Sequence, residues 1–424
     1  MISGSVTGTV AREVTGPTAV VIGLDTITGL QTARILAARG VPVVGLTNDR
    51  RHYASRTRAC RQIVQADLGS ENLIDSLLRL GPQLDGRAAL IPCTDLTVLM
   101  ISSHRDRLIP WFHIALPDHA VVEMLMDKVA FLRHAQENGL PVPATVIIEN
   151  RGDAEHAART LSYPAVLKPP MKSAAWQSQT KERAFQLANG EELLAVYDRV
   201  APWSERFIAQ EWIDGGVDAL FSCNVYFDQA SRPRATFVAR KLRQWPPHTG
   251  TSSLGEECRN DVVLDETVRL FAGLGYRGLG YVEMKRDART GRHLIVEPNI
   301  GRPTGRSAIA EGGGVELLYT AYCDMVGLPL PSAREQRYGG AKWIDDRRDM
   351  QSALYFLRRG ELTPGEWLRS VRGPKTHAVL SRSDPAPFLH ELLQSTRKAL
   401  GRLTMLSGGR VRERRTALRA RRSG

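Results

Sequence analysis

Two glutamates and an asparagine in the segment EMKRDARTGRHLIVEPN have the types and spacing that most plainly suit chemistry. The turn DARTGR spans 287–292, with Glu283 and Glu297 nearly equidistant from its centre, so a hairpin there would set the two acids face to face. Asn299, two residues beyond Glu297, projects to the same side of the strand. Two carboxylates and an amide oxygen on one face make a hard-oxygen donor set suited to Mg²⁺, with Mn²⁺ as the alternative ion. Without a cation the facing acids would repel. The plainer explanation is a solvated hairpin face, and a register slip of one residue would send the acids to opposite faces.

A metal of this kind commonly serves phosphates, and phosphates need cations. Lys128 stands at the start of the helix DKVAFLRHAQENG, and Lys168 ends the apolar strand YPAVLKPP. For either lysine alone a solvated charge is the ordinary explanation. The strand RFIAQEWIDGGVD offers Ile208 and Ile213 for an adenine slot, and Glu211 and Asp218 for ribose hydroxyls. The stretch ARKLRQWPPHTGTSS offers Arg240, Lys241 and Arg243 for terminal phosphates. Other nucleotide motifs fail. No Gly-Lys dipeptide is present, so there is no Walker A loop. The G-x-G-x-x-G at Gly273, Gly275 and Gly278 leads into a strand instead of opening a helix. The turn GLDTITG lacks the dinucleotide fingerprint, although a small anion fits such a helix N-terminus. No Ser–His or Cys–His arrangement suggests a covalent nucleophile.

The elements that must position these residues fall into two patterns. From Pro17, the strands TAVVIGL, VPVVGLTND, RQIVQAD, AALIPCTD and IALPD alternate with helices, which predicts a parallel sheet covered on both faces. Near Met126 the pattern changes to helix, short strands, then long strands from Ala219 to Arg243 and the hairpin. Beyond Pro331 the chain reads as helical and basic. The fold class is therefore α/β, α+β in part. The boundaries read as a disordered leader 1–16, a Rossmann-like domain 17–118, a central domain 119–331 with a smaller lobe about 144–213, an extension 332–396 and a basic tail 397–424.

Composition bounds the rest. The 424 residues are 42% hydrophobic and 24% charged, an ordinary globular balance. No apolar run has the length of a membrane span, and the first residues lack the pattern of a secretory signal. Five widely spaced cysteines, none in a C-x-x-C pair, predict free thiols in a reducing cytoplasm. The net charge of +12 is mostly a tail effect: residues 397–424 hold ten Lys or Arg against the one acid Glu413. That argues against a nucleic-acid-binding body. It leaves peripheral contact between the tail and an anionic membrane surface as the sharper reading of a solvated tail.

Taken in order, the stretches MDKVAFLRHAQENGLPVPAT, YPAVLKPP, FIAQEWIDGGVD, ARKLRQWPP, GYVEMKRD and IVEPNIGR resemble the ATP-grasp superfamily, and more closely its carboxylate–amine ligase branch, over residues 17–390. The resemblance implies a pre-ATP-grasp domain, a two-lobed ATP-grasp domain and a C-terminal extension. It implies ATP and Mg²⁺ as cofactors, and small amino-acid-like or peptide-like carboxylate and amine substrates. Lys128 and Lys168 would contact ATP phosphates. Gln210, Glu211, Trp212 and Ile213 would form the hinge that receives adenine, with Asp218 on the ribose. Glu283, Glu297 and Asn299 would hold the metal, and Arg302 would stabilise the acyl phosphate or the incoming carboxylate. The family's arginine usually stands two residues after the asparagine. Here Asn299 is followed by Ile-Gly-Arg, so Arg302 and Arg306 compete, with Arg240 as a further catalytic cation. The usual glycine-rich phosphate loop is replaced by MKSAAWQSQTK, in which Lys172 and Ser173 are the substitutes. The alternative is an ATP-binding sensor or scaffold on the same fold without ligase activity.

Overall fold

A computed structural model describes residues 16–397 except Lys172, His248, Thr249 and Arg306. The expected leader up to residue 15, Lys172, Arg306 and nearly all of the expected basic tail lie outside the described residues.

The N-terminal sheet is parallel throughout, in the order β3-β2-β1-β4-β5. It comprises β1 (Ala19–Ile22), β2 (Val43–Thr47), β3 (Gln62–Gln65), β4 (Ala88–Pro92) and β5 (Phe112–His113). β1, β2 and β4 are buried at every position, which explains why Val, Ile, Leu and Ala dominate them. The helices are α1 (Ile27–Ala37), α2 (Asn72–Leu80), α3 (Asp95–Ser103) and α4 (Arg105–Leu108). Thr26 caps α1 by accepting from the Gly29 amide, and Thr94 caps α3. One expected strand differs. IALPD (114–118) is extended but unpaired, and the last strand is the preceding Phe112–His113, opposite Ala88 and Ala89. Pro117 has no amide hydrogen with which to continue a ladder.

Two further helices, α5 (His119–Met126) and α6 (Lys128–Glu137), lead into a four-stranded antiparallel sheet ordered β6-β9-β7-β8. Its strands are β6 (Thr145–Ile148), β7 (Ala165–Lys168), β8 (Phe185–Leu187) and β9 (Phe207–Glu211). They are backed by α7 (Arg151–Thr160), α8 (Ala174–Gln179) and α9 (Gly190–Val200) around the buried Trp176. The largest sheet runs β14-β13-β10-β11-β12-β15-β16. It contains β10 (Leu220–Phe227), β11 (Pro233–Trp245), β12 (Thr251–Glu257), β13 (Gly278–Arg286), β14 (His293–Ile300), β15 (Lys342–Ile344) and β16 (Lys375–His377). Helices α10 (Asp261–Gly273), α11 (Ala308–Gly312) and α12 (Leu317–Val326) pack on it. The last two strands come from the C-terminal part, with α13 (Asp346–Arg358), α14 (Pro364–Ser370) and a helix over 386–397.

Two glycines join the large sheet to the N-terminal domain. Gly278 has φ +98°, and a Cβ there would lie 2.1 Å from the Ala115 carbonyl oxygen. Gly301 has φ +68°, and a Cβ there would meet Leu116 and Val98 side chains at 2.5 and 2.6 Å. Only glycine tolerates both the left-handed backbone and the approach. The second of these turns delivers the next residue, Arg302, to α3.

Candidate functional site

The hairpin of β13 and β14 sets the centre of the site, and a bulge decides its register. Near the turn the pairs are Arg286 with His293, Lys285 with Leu294 and Met284 with Ile295. Continued unbroken, this ladder would pair Glu283 with Val296 and put Glu297 on the wrong face. The register shifts after Met284, Val296 is extruded, and Glu283 stands opposite Glu297, with Tyr281 opposite Asn299. The Glu283 carboxylate is nearly buried and pairs with Lys241 Nζ at 2.8 Å. Glu297 is exposed. Asn299 is buried. Its Oδ1 accepts from Arg302 Nη2 at 2.8 Å, and its Nδ2 has no hydrogen-bond partner. Arg302 Nε in turn donates to Asp95 Oδ1 at 2.5 Å, at the N-terminus of α3.

Two cavities meet at Glu297. One, of about 350 Å³, is lined by Leu125, Met126, Phe131, Leu132, Ile208 and the extruded Val296, with Asp95, Lys128, Lys168, Gln210, Glu297 and Asn299 as its polar groups. Apolar walls with a few converging polar groups are the usual form of a small-molecule site. Lys168 Nζ donates to Gln210 Oε1 at 3.1 Å, and Gln210 Nε2 donates to Thr145 Oγ1 at 2.8 Å. Burial lowers the Lys168 ammonium to about 8, and nearby Lys128 adds to the fall while Glu297 opposes it. The other cavity, of about 790 Å³, takes in Lys241, Glu283, Glu297 and Arg302, and reaches from the start of α1 to α13.

Several expected ligands stand elsewhere. Arg240 pairs with Glu256 at 2.9 Å and lines neither cavity. Arg243 is buried and clamped on Asp349 through Nε and Nη2 at 2.7 and 2.9 Å, so it anchors α13. The basic trio divides because successive strand residues face opposite ways and the β11–β12 register shifts between Lys241 and Arg243. Ser173 caps α8, accepting from the Trp176 amide at 3.0 Å and donating to the Trp203 carbonyl at 2.9 Å. Its hydroxyl is spent on local structure.

The hinge residues are similarly engaged. Glu211 Oε1 accepts from the Ser162 amide at 2.9 Å. The Trp212 amide donates to the Pro164 carbonyl, the Trp212 carbonyl accepts from Arg289, and the Ile213 carbonyl accepts from Lys285 Nζ at 2.8 Å. Asp218 is exposed in a single 3₁₀ turn, Val217–Ala219. Of this group only Gln210 lines the smaller cavity, beside Ile208.

Sequence reasoning passed over Arg183, Tyr281, Thr304 and the wall of the larger cavity formed by Asp25, His52, Tyr53, Arg347, Arg348 and Glu391. These come from segments far apart in the chain, and the only local signal was the anion-compatible start of α1.

Among the described residues no group of three or more His, Cys, Asp or Glu could hold a metal. The hard-oxygen groups that the hairpin brings together are Glu283, paired with Lys241, Glu297, and the Asn299 amide oxygen, which accepts from Arg302. The set fits Mg²⁺ in donor chemistry, since all three are hard oxygens. The unpartnered Asn299 Nδ2 marks a buried amide whose hydrogen bonding is incomplete.

No protein-family model matches the sequence. The chain is 25% identical over 249 residues to the D-aspartate ligase of Enterococcus faecium, a match covering 55% of this chain and 58% of that relative's length. Among solved structures it superposes on N5-carboxyaminoimidazole synthetase from Staphylococcus aureus with a TM-score of 0.59 at 15% identity, over 76% of this chain and 80% of that one. It superposes equally on the biotin carboxylase domain of Hydrogenobacter thermophilus 2-oxoglutarate carboxylase, solved with magnesium ADP, with a TM-score of 0.59 at 13% identity, over 76% and 73% of the two chains.

Proposed function

We infer that this chain, an ATP-grasp protein by sequence likeness and fold, is an ATP-dependent ligase that activates a carboxylate as an acyl phosphate and couples it to an amine. The observation that carries the reading is the position of Glu297 at the junction of an apolar cavity bearing Lys128 and Lys168 with a larger, charged one bearing Lys241 and Arg302. A nucleotide in the first would direct its terminal phosphate to the junction, and a carboxylate in the second would approach from the other side.

In this account a carboxylate oxygen attacks the γ-phosphorus, ADP leaves, and the amine then displaces phosphate to give the amide. Lys168 and Lys128 hold phosphate oxygens. Arg302, braced by Asp95 and Asn299, orients the carboxylate and later the acyl phosphate. Glu283, Glu297 and Asn299 would hold Mg²⁺, which supplies charge neutralisation at the phosphates when bound. Leu125, Phe131, Ile208 and Val296 keep water from the base and the phosphates. The likeness to D-aspartate ligase supports a small amino acid as the carboxylate partner.

We keep the domain boundaries given above as part of this proposal, with the extension over 332–396 lending its two short strands to the large sheet. Among the described residues no helix is long and apolar enough to cross a membrane. We place the protein in the cytoplasm, with the arginine-rich end of the sequence against an anionic inner-membrane surface.

A second reading, nucleotide binding without ligation, is favoured by one feature. Lys241 and Arg302 already engage the Glu283 carboxylate and the Asn299 amide oxygen, two of the three proposed metal donors. A screen of ADP release over pairs of carboxylates and amines, with mass detection of the product, separates the two. ADP formed only when both partners are present supports the ligase, and its absence across the panel supports the second reading.

A further inference from the structure

The 790 Å³ cavity is larger than the reacting ends of a carboxylate and an amine require, and its far wall carries charges that the chemistry above does not use. Arg347 and Arg348, consecutive at the start of α13, both line that wall. Each is held at its Nε by a carboxylate, one from another helix and one from the N-cap of α13 itself. Arg347 Nε lies 3.0 Å from Glu391 Oε1 on the 386–397 helix, and Arg348 Nε lies 3.3 Å from Asp345 Oδ2. Arg348 Nη1 also donates to Thr251 Oγ1 at 2.8 Å. The acids that brace them are themselves fixed. Asp345 caps α13 through the Arg348 amide, and Glu391 is buried. The wall is tied down at a second point, where Gln394 Nε2 donates to the Arg51 carbonyl at 2.9 Å.

A guanidinium pinned at Nε keeps a fixed plane and presents its terminal nitrogens in a fork suited to an oxyanion. The side chains of Arg347 and Arg348 remain 47% and 33% exposed and both line the cavity; Arg348 Nη1 is taken by Thr251, which leaves Nη2 of Arg348 and the terminal nitrogens of Arg347 for an anion.

We propose that Arg347 and Arg348 bind an oxyanion, a carboxylate or a phosphate, on the part of the substrate remote from the reacting centre. The C-terminal extension is then a specificity element. It selects substrates with an anionic group at one end and the reacting carboxylate or amine at the other. The inference rests on the ligase reading for what occupies the near end of the cavity, but not for anion binding itself.

The test uses the full chain with saturating Mg²⁺ and a non-hydrolysable ATP analogue, so that the phosphate positions at Lys128 and Lys168 are filled. Succinate and inorganic phosphate are titrated in separately by calorimetry. The expected result is millimolar binding of one of them, weakened at least tenfold in the Arg347→Gln/Arg348→Gln double variant. The preferred probe tells carboxylate from phosphate. If the double variant fails to fold, Arg347→Gln alone, at a half-exposed position, should still weaken binding severalfold. Binding of neither probe to the wild type, or undiminished binding in the folded variant, overturns the proposal. Where turnover is available, the same variants should raise KM for the anionic substrate tenfold and leave kcat and the KM for ATP unchanged. An unchanged KM with a reduced kcat also overturns it. Anion binding without ADP release in the wild type would remove the ligase reading and leave this site standing.

Discussion

Asn299 Oδ1 and Arg302 Nη2 are joined at 2.8 Å across the turn at Gly301, so one hydrogen bond links the proposed metal ligand to the cation proposed to meet the substrate carboxylate. The same guanidinium reaches Asp95 in the N-terminal domain. The arginine therefore couples the two domains at the point where the γ-phosphate would react. The tight left-handed turn at Gly301 returns the Arg302 side chain to the asparagine.

Replacing Arg302 by Ala should lower carboxylate-dependent ADP formation by roughly 10²-fold, the scale for losing one preorganised charge-stabilising donor. Nucleotide affinity should change little. Arg302→Lys should rescue poorly, because a single ammonium cannot bridge Asp95 and Asn299 in one plane. Steady-state kinetics together with equilibrium ADP binding measure both.

The arginines of β11 should separate sharply. Arg243→Ala removes one half of a buried bidentate pair with Asp349 and should cost about 3–5 kcal/mol of stability. Arg240→Ala removes a partly exposed pair with Glu256 and should cost about 1 kcal/mol or less after solvent screening. Neither should change the affinity for nucleotide in the folded protein. Denaturant unfolding reads the first contrast and ADP titration the second.

With Lys168 on the phosphates as proposed, nucleotide binding should depend on pH. Burial holds its pKa near 8, so raising the pH through that value discharges the phosphate-facing ammonium in the empty protein. Affinity for ADP should fall above about pH 8 and stay flat in Lys168→Arg, whose guanidinium does not titrate there. The stability effect has the opposite sign. The folded pKa lies below the unfolded value of 10.5, so between these limits the unfolded chain binds the proton more tightly and this residue's contribution to stability rises with pH. Calorimetric ADP titrations and thermal unfolding from pH 7 to 10 should show the two trends crossing.

Much of this arrangement could be read from residue order, but not all for the right reason. The symmetry of Glu283 and Glu297 about their turn holds only because Val296 is extruded; the ladder near the turn is offset by one residue. Strand alternation near Lys241 was legible in principle, since Arg240 must face away from its neighbour. The shift between Lys241 and Arg243 was not, because bulges answer to packing that neighbouring residues do not reveal. Ser173 shows the opposite failure: a serine three residues before a helical tryptophan is an N-cap on local grounds, and the expectation of a phosphate loop overrode that plainer reading. Arg347, Arg348 and Glu391 could not be anticipated, since tertiary structure alone brings them beside His52 and Tyr53.

The most direct test of the central claim is Mg²⁺-dependent ADP release by Glu297→Gln, compared with wild type at saturating ATP and an active carboxylate–amine pair. The substitution keeps the size of the side chain and removes the charge shared by the two cavities. The account predicts that release is abolished while the thermal midpoint stays at the wild-type value. Turnover at the wild-type rate would contradict it.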